Sequence, residues 1–143
     1  MNAHAHDQAT LDEIVTAFAA ETGTLHRIGD DGFLHLVAVV GAFPPPVMDA
    51  IRTVPVGKGL AGLAAQRKEP VTVCNLQTDT SGVVRPGAKA TGMEGAITVP
   101  CLDEAGEVVG VLGIANRSPR DYTGAERESL SARARQVARR WTE

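Results

Sequence analysis

The chain has 143 residues, a formal net charge of −3 and an aromatic content of 3%. This length is typical of one domain and is sufficient to enclose a hydrophobic core. The acidic balance argues against nucleic acid as the main partner, because phosphate binding normally requires a basic face. The scarcity of aromatic residues removes the stacking platforms that single-strand binders use.

The chain begins with a polar segment, and no apolar run approaches the roughly 20 residues that span a bilayer. Two cysteines, Cys74 and Cys101, are too few for a disulfide framework or a metal cluster by themselves. We therefore expect a cytoplasmic protein without membrane contact. The predicted organisation is a flexible N-terminal tail over residues 1–9 and a single domain over residues 10–143.

The first predicted helix begins at Thr10, which forms a capping box with Glu13. Four apolar residues follow at helical spacing: Leu11, Ile14, Val15 and Phe18. After Gly23, residues 24–28 and 33–40 read as two strands joined by the turn sequence Gly-Asp-Asp-Gly. A hairpin is therefore predicted directly after the first helix.

The middle of the chain is punctuated by proline and glycine. Residues 47–52 predict a short helix after three prolines, and residues 56–67 predict a glycine-rich turn that leads into a helix ended by Pro70. Residues 71–74 predict a short strand. The following stretch, 75–94, has little apolar periodicity, which is unusual in a compact domain and typical of a functional loop.

The last part of the chain predicts a second hairpin and a long helix. The strands are residues 96–102 and 108–115, and the helix begins at Thr123 with Glu126 at the capping-box position. Its apolar stripe consists of Leu130, Ala134, Val137 and Trp141. Because the strands come in hairpins rather than alternating with crossover helices, the predicted fold class is α+β, with helices packed on an antiparallel sheet.

Four segments in this order resemble the GAF domain family. They are residues 55–62 (PVGKGLAG), 69–71 (EPV), 95–100 (GAITVP) and 106–115 (GEVVGVLGIA). The end, from Asn116-Arg117 to Glu126, is similar to the ending of cyclic-nucleotide GAF domains. The resemblance covers roughly residues 10–141. It implies an antiparallel sheet of five or six strands, with the terminal helices on one face and a ligand pocket on the other.

The glycine-rich turn at residues 57–62 allows two interpretations. A helix N-terminus offers free backbone N–H groups and the positive end of the helix dipole, so it suits an anion. Alternatively, the small residues simply permit a tight turn and close packing of helix on sheet. The local pattern alone does not decide between a binding role and a packing role.

The resemblance adds a specific ligand site. Among GAF proteins of this length, bacterial nitrate receptors of two-component systems are similar in size, and they hold a small anion largely through backbone amides. Carried over by position, the donors are Leu60, Ala61 and Gly62 from the helix start, and Gly95, Ala96 and Ile97 from the strand. The aromatic that closes the pocket is predicted to be Phe43. The resemblance thus implies a non-enzymatic sensor of nitrate or another small anion or polar metabolite, with a sensor histidine kinase as partner. An apolar face left over on the terminal helices would allow a homodimer with a second copy of the chain.

Two cations in the long loop, Arg85 and Lys89, lie over the predicted pocket and either side chain could pair with an anion. Solvated surface charge is the ordinary alternative. The histidines His26 and His35 flank the first turn symmetrically, and we expect a solvated cross-strand pair rather than half of a zinc site. We predict no cofactor, because haem-binding and bilin-binding relatives need histidine or cysteine ligands that the pocket segments lack.

Two alternative functions remain at this stage. One GAF family reduces free methionine sulfoxide with paired cysteines, but its helix-start cysteine position is Ala61 here, and residues 82–94 contain no cysteine. Without a thiolate and a resolving partner this chemistry does not proceed. The other alternative is a protein-interaction module whose pocket is filled by its own side chains.

Overall fold

The computed structural model describes residues 3–80, Lys89 and residues 91–142. These residues form, in chain order, α1 (Ala3–Ala17), β1 (Thr22–Ile28), β2 (Leu34–Val40), α2 (Pro45–Ile51), β3 (Thr53–Val54), α3 (Gly59–Arg67), β4 (Val71–Val73), β5 (Gly95–Leu102), β6 (Val108–Asn116) and α4 (Gly124–Thr142). None of the described helices is long and apolar enough to cross a membrane.

The six strands form one sheet in the order β3-β2-β1-β6-β5-β4, and each neighbouring pair is antiparallel. The two long hairpins pair with each other through β1 and β6, which places these strands at the centre. The predicted α+β class and the antiparallel sheet are confirmed, and the strand number is the higher of the two expected values.

The terminal helices α1 and α4 pack on one face of the sheet. Fully buried side chains of both helices, including Leu11, Ile14 and Leu130, meet Leu25 and Leu112 from the central strands. The opposite face carries α2 and α3 and two smaller apolar clusters. The sheet therefore separates a helix-covered core from a second layer that is less completely filled.

The N-terminal prediction needs correction, because α1 begins at Ala3 rather than at Thr10 and includes residues assigned to the tail. Asp7 is 4% exposed, and its carboxylate accepts hydrogen bonds from Arg140 and from Trp141 Nε1. The Gln8 side chain exchanges two hydrogen bonds with the backbone of Val39. These contacts tie the first turns of α1 to α4 and β2, so the capping-box residue Thr10 lies inside the helix.

The predicted start of the last helix is confirmed. The Thr123 amide donates to Glu126 Oε1 at 2.9 Å, and the Glu126 amide donates to Thr123 Oγ1 at 3.1 Å. This reciprocal pair satisfies two amides at the beginning of α4. Sequence reasoning did not find β3, which has only two residues and pairs with β2 through Leu34 and Val54.

Candidate functional site

A cavity of about 420 Å³ lies on the face of the sheet opposite α1 and α4. Its floor is formed by β1, β6 and β5, and α2 and the start of α3 contribute its sides. Much of its surface is apolar, including Val47, Ile51, Val54, Leu60, Leu76 and Met93. The volume lies in the range of small-molecule sites, which are typically about 300–1,000 Å³ and mostly apolar with a few placed polar groups.

The first polar feature is the beginning of α3. Lys58 precedes the helix in an extended conformation, and Gly57 and Gly59 have φ angles of +95° and +67°. Glycine adopts such angles without the strain that a Cβ would add. The amides of Gly59, Leu60 and Ala61 lie in the first turn, where no intrahelical acceptor exists, and no described residue accepts from them. All three residues line the cavity.

Lys58 adds a formal charge at the same place. It lines the cavity as an exposed residue, and its side chain has no hydrogen bond or ion pair within the described part of the chain. A cation beside three free amides and the positive end of a helix dipole gives this wall of the cavity a positive electrostatic character. The wall is therefore suited to an anionic group.

The second polar feature is on the floor. Thr24, Gly113 and Thr98 are direct neighbours across β1, β6 and β5, and all three line the cavity. A Cβ built on Gly113 would lie 3.1 Å from Thr24 Oγ1 and 3.3 Å from Thr98 Oγ1. Both hydroxyls therefore flank the open position above Gly113. Thr98 is 7% exposed, and neither hydroxyl has a hydrogen-bond partner among the described residues.

The third polar feature is His26, which lines the cavity and is 2% exposed. Its Nε2 lies 2.8 Å from the Ile51 carbonyl oxygen, so Nε2 carries the proton in this bond. Its Nδ1 is buried without a partner among the described residues. Burial lowers the pKa of His26 from its usual value, with a further lowering from His35, and the bond to Ile51 opposes the shift only in part.

The sequence model of the GAF domain family matches residues 7–140. The chain belongs to the GAF domain family. GAF domains are a family of ligand-binding and signalling domains, so the placement of a cavity on the sheet face away from the terminal helices agrees with the family. A search of curated proteins found no match.

Solved structures show the same GAF fold. The chain superposes on the GAF domain of a phosphoenolpyruvate-protein phosphotransferase from Coxiella burnetii with a TM-score of 0.81 and 22% identity, covering 99% of this chain and 83% of that one. For a domain of a two-component sensor histidine kinase protein from Sinorhizobium meliloti, the TM-score is 0.77 and the identity 19%, and the match covers 100% of this chain and 94% of that one. For the type II free methionine-R-sulfoxide reductase of Thermoplasma acidophilum, the TM-score is 0.76 and the identity 19%, and the match covers 95% of this chain and 89% of that one. At these identities the likeness concerns the fold.

Four of the residues proposed for the GAF pocket from sequence lie together in the cavity lining: Phe43, Leu60, Ala61 and Ala96. Phe43 comes from the segment before α2, and Ala96 projects from β5 two residues before Thr98 on the same face. Arg85 lies outside the described residues. Lys89 is exposed and is absent from the described cavity lining, so Lys58 is the cation that the structure brings there.

The other three predicted residues need correction, because they do not line the cavity. The Gly62 amide donates to Lys58 O at 3.1 Å, and a Cβ at this position would lie 2.4 Å from Pro55 O. The Gly95 amide donates to Ser118 O at 3.0 Å. Ile97 is buried in the core beneath α1 and α4. Gly62 therefore has the packing role that the sequence left open, while Leu60 and Ala61 keep free amides.

The predicted cross-strand histidine pair is also wrong. The register that the turn sets places His26 opposite Leu36 and His35 opposite Arg27. His35 is exposed and bonds to Asp31, whose pKa is lowered mainly by this hydrogen bond. Sequence reasoning missed His26, Lys58, Thr24 and Thr98 as cavity residues. The one available signal was the alternation of polar residues at positions 24 and 26 of a predicted strand.

Neither cysteine of the chain lines the cavity. Cys101 is fully buried and its burial raises the pKa of the thiol. Cys74 is exposed just after β4, and local desolvation together with the Asp121 carboxylate raises the pKa of its thiol. Such thiols remain protonated at neutral pH and are poor nucleophiles. Within the residues that the structure describes, no group of three or more His, Cys, Asp or Glu side chains is placed to hold a metal ion.

Proposed function

We propose that this GAF domain is a non-catalytic sensor whose cavity binds a small anionic ligand at the first turn of α3. The observation that carries the proposal is the set of three unpaired amides, of Gly59, Leu60 and Ala61, in the cavity wall. Free amides at a helix N-terminus bind anions through hydrogen bonds and the helix dipole. Nitrate is the named candidate, on the strength of the resemblance to nitrate receptors.

Lys58 supports an anion rather than a neutral ligand at this place. Lys58 is an exposed residue of the cavity lining, next in sequence to the free amides, and it has no carboxylate partner among the described residues. The positions of both cysteines away from the cavity support the non-catalytic part of the proposal, because reduction of a sulfoxide by this family requires a thiolate at the substrate.

The partners proposed for the domain are a sensor histidine kinase and a second copy of the chain. The structural likeness to a domain of a sensor kinase protein supports the first. Strand β1 offers a route for a signal, because Thr24 and His26 line the cavity while Leu25 packs with α1 and α4 on the other face. A ligand that moves β1 would thus act directly on the terminal helices.

Calorimetric titration of ligand-free protein with nitrate, nitrite, phosphate and small carboxylates tests the proposal. We expect at least one anion to bind, and we expect the Lys58→Met variant to bind it about threefold to tenfold more weakly, because one charge-assisted contact is lost. Lys89→Met is the matched control, since Lys89 is exposed and is absent from the described cavity lining. Absence of heat with every anion would contradict the proposal.

A further inference from the structure

We propose that Thr24 and Thr98 form a second polar subsite, and that the ligand of this cavity is a small organic acid with two polar ends. Its anionic group binds at the first turn of α3, and its uncharged hydrogen-bonding group binds between the two hydroxyls above Gly113. This inference rests on the proposed anion site at α3 and names the class of ligand that the whole cavity takes.

The unpaired hydroxyls are the first observation. Thr98 is 7% exposed. Its Oγ1 and the Oγ1 of Thr24 have no hydrogen-bond partner among the described residues. Neither oxygen is sealed in the core, because His26 Nδ1 is the one enclosed side-chain polar atom without a partner among the described residues. Valine fits a β-strand as well as threonine does. The two threonine hydroxyls therefore face the cavity and are free to bond to a bound molecule.

Gly113 is the second observation. It lies between the two threonines in the register of three neighbouring strands, and it leaves open the space that both hydroxyls border. An alanine Cβ there would lie 3.1 Å and 3.3 Å from the two oxygen atoms, closer than ordinary van der Waals contact. The absence of a side chain at position 113 thus keeps both hydroxyls accessible to one ligand group.

The size of the cavity is the third observation. Its volume of about 420 Å³ falls in the range of roughly 300–1,000 Å³ that is typical of sites for small organic molecules. Nitrate at the start of α3 would leave most of this space unfilled. Leu60 packs against the cluster that contains Ala96, and Thr98 lies two residues, or about 7 Å, farther along β5. A ligand with a short aliphatic body reaches from the amides to the hydroxyls and covers the apolar walls.

A matched pair of acids tests the subsite. Pentanoate and 5-hydroxypentanoate have the same carboxylate and the same aliphatic chain. In 5-hydroxypentanoate the hydroxyl lies about as far from the carboxylate as Thr98 lies from Ala96 along β5. We expect 5-hydroxypentanoate to bind about threefold to tenfold more tightly than pentanoate, the usual effect of one hydrogen bond. Amide spectra should place both acids at Leu60 and Ala61.

Two variants test whether the threonines of the cavity floor cause the preference for 5-hydroxypentanoate over pentanoate. Thr98→Val and Thr24→Val should each reduce the preference for 5-hydroxypentanoate over pentanoate to less than about twofold. Thr98→Val should also melt near the wild-type temperature, because valine and threonine both suit a β-strand. Thr72→Val is the matched control, since Thr72 is an exposed threonine of β4 and should keep the wild-type preference.

Each remaining outcome has a definite reading. Equal binding of the two acids, or a preference that survives in both threonine variants, would overturn the subsite and leave the anion site standing. Nitrate binding at Leu60 and Ala61 without binding of either acid would likewise overturn the organic-acid ligand alone. If neither nitrate nor either acid perturbs these amides, both the subsite and the proposed anion site fail.

Discussion

His26 is a buried histidine with one bonded and one unbonded ring nitrogen. A carbonyl oxygen only accepts, so the contact with Ile51 fixes the proton on Nε2 and leaves a lone pair on the buried Nδ1. Protonation of Nδ1 would place a charge in a site that is 2% exposed. The lowered pKa of His26 follows mainly from this burial, and the neutral ring is the form that the fold accommodates.

The folding stability should therefore depend on pH through His26. Because the pKa is lower in the folded than in the unfolded state, the unfolded chain binds more protons below about pH 6.5, and stability is lost as the pH falls from there toward the folded pKa. We expect the melting temperature to be lower by a few degrees at about pH 5.5 than at about pH 7.5. Thermal melts across this range measure the effect.

Two variants make the pH experiment specific. His26→Gln should flatten the dependence, whatever its absolute stability. His35→Gln should retain it, because His35 is exposed and its partner is the Asp31 carboxylate on the surface. An unchanged slope in His26→Gln would show that the pH dependence arises elsewhere.

At this scale Leu60 and Ala61 were assigned to the pocket through the resemblance to GAF domains, because the glycine-rich pattern alone allowed a binding role or a packing role. Thr98 and His26 could not be assigned to it, because their exposure to the cavity depends on which face of the sheet each strand presents. The register that pairs His26 with Leu36 is a property of strand pairing that the local sequence does not encode.

Among the elements, α3 combines a binding end with a packed interior. Gly57 donates to Gly62 O at 2.8 Å, and Gly62 lies against the carbonyl oxygen of Pro55. This close approach holds the turn against the first helical residues and fixes where the free amides of Leu60 and Ala61 lie. The glycines thus serve the site indirectly, through the position of the helix start.

Substitution of Gly62 tests this arrangement. A Cβ there would lie 2.4 Å from Pro55 O and 3.0 Å from Gly57 N, so backbone must move. We expect Gly62→Ala to lower the free energy of unfolding by about 2 kcal/mol or more, as overpacking does. Urea denaturation measures the change.

Gly124→Ala is the matched control for this substitution. Gly124 also lies in the first turn of a helix, and a Cβ there would meet nothing within 4 Å. We expect no loss of stability and a gain of at most about 1 kcal/mol, because alanine restricts the unfolded chain. Similar destabilisation by both substitutions would contradict the packing role of Gly62.

The helix and strand boundaries show where sequence reasoning reaches its limit. The start of α4 was predictable because Thr123 and Glu126 satisfy each other within one turn. The start of α1 was not, because it depends on contacts between Asp7 and the distant Arg140 and Trp141. Strand β3 was missed because two residues are too short to show a period.

In the whole molecule, the central strand β1 joins the cavity to the terminal helices. Thr24 and His26 line the cavity, while the neighbouring Arg27 reaches the other face. The Arg27 guanidinium lies 5.3 Å from the centre of the Trp141 ring and donates to the Trp141 carbonyl oxygen at 3.2 Å. A cavity residue, His26, and a residue that contacts the end of α4, Arg27, are therefore neighbours in the same strand.

The overall architecture was accessible from sequence because hairpins and amphipathic helices leave periodic patterns, and because the segments resembling GAF domains occur in the right order. The residues that line the cavity were harder to predict from the sequence. Its floor unites Thr24, Thr98 and Gly113, which are far apart in the chain and carry no shared motif. Such a constellation exists only after the sheet has formed.

The central claim is that an anion binds at the first turn of α3, and an amide-resolved NMR titration with nitrate tests it most directly. The account predicts that Leu60 and Ala61 show the largest saturable shifts, while Gly62, whose amide is bonded to Lys58 O, shifts less. The first turn of α4 serves as an internal control, because it is another helix N-terminus, at Ala125. Shifts of equal size at Ala125, or none at Leu60 and Ala61, would contradict the claim.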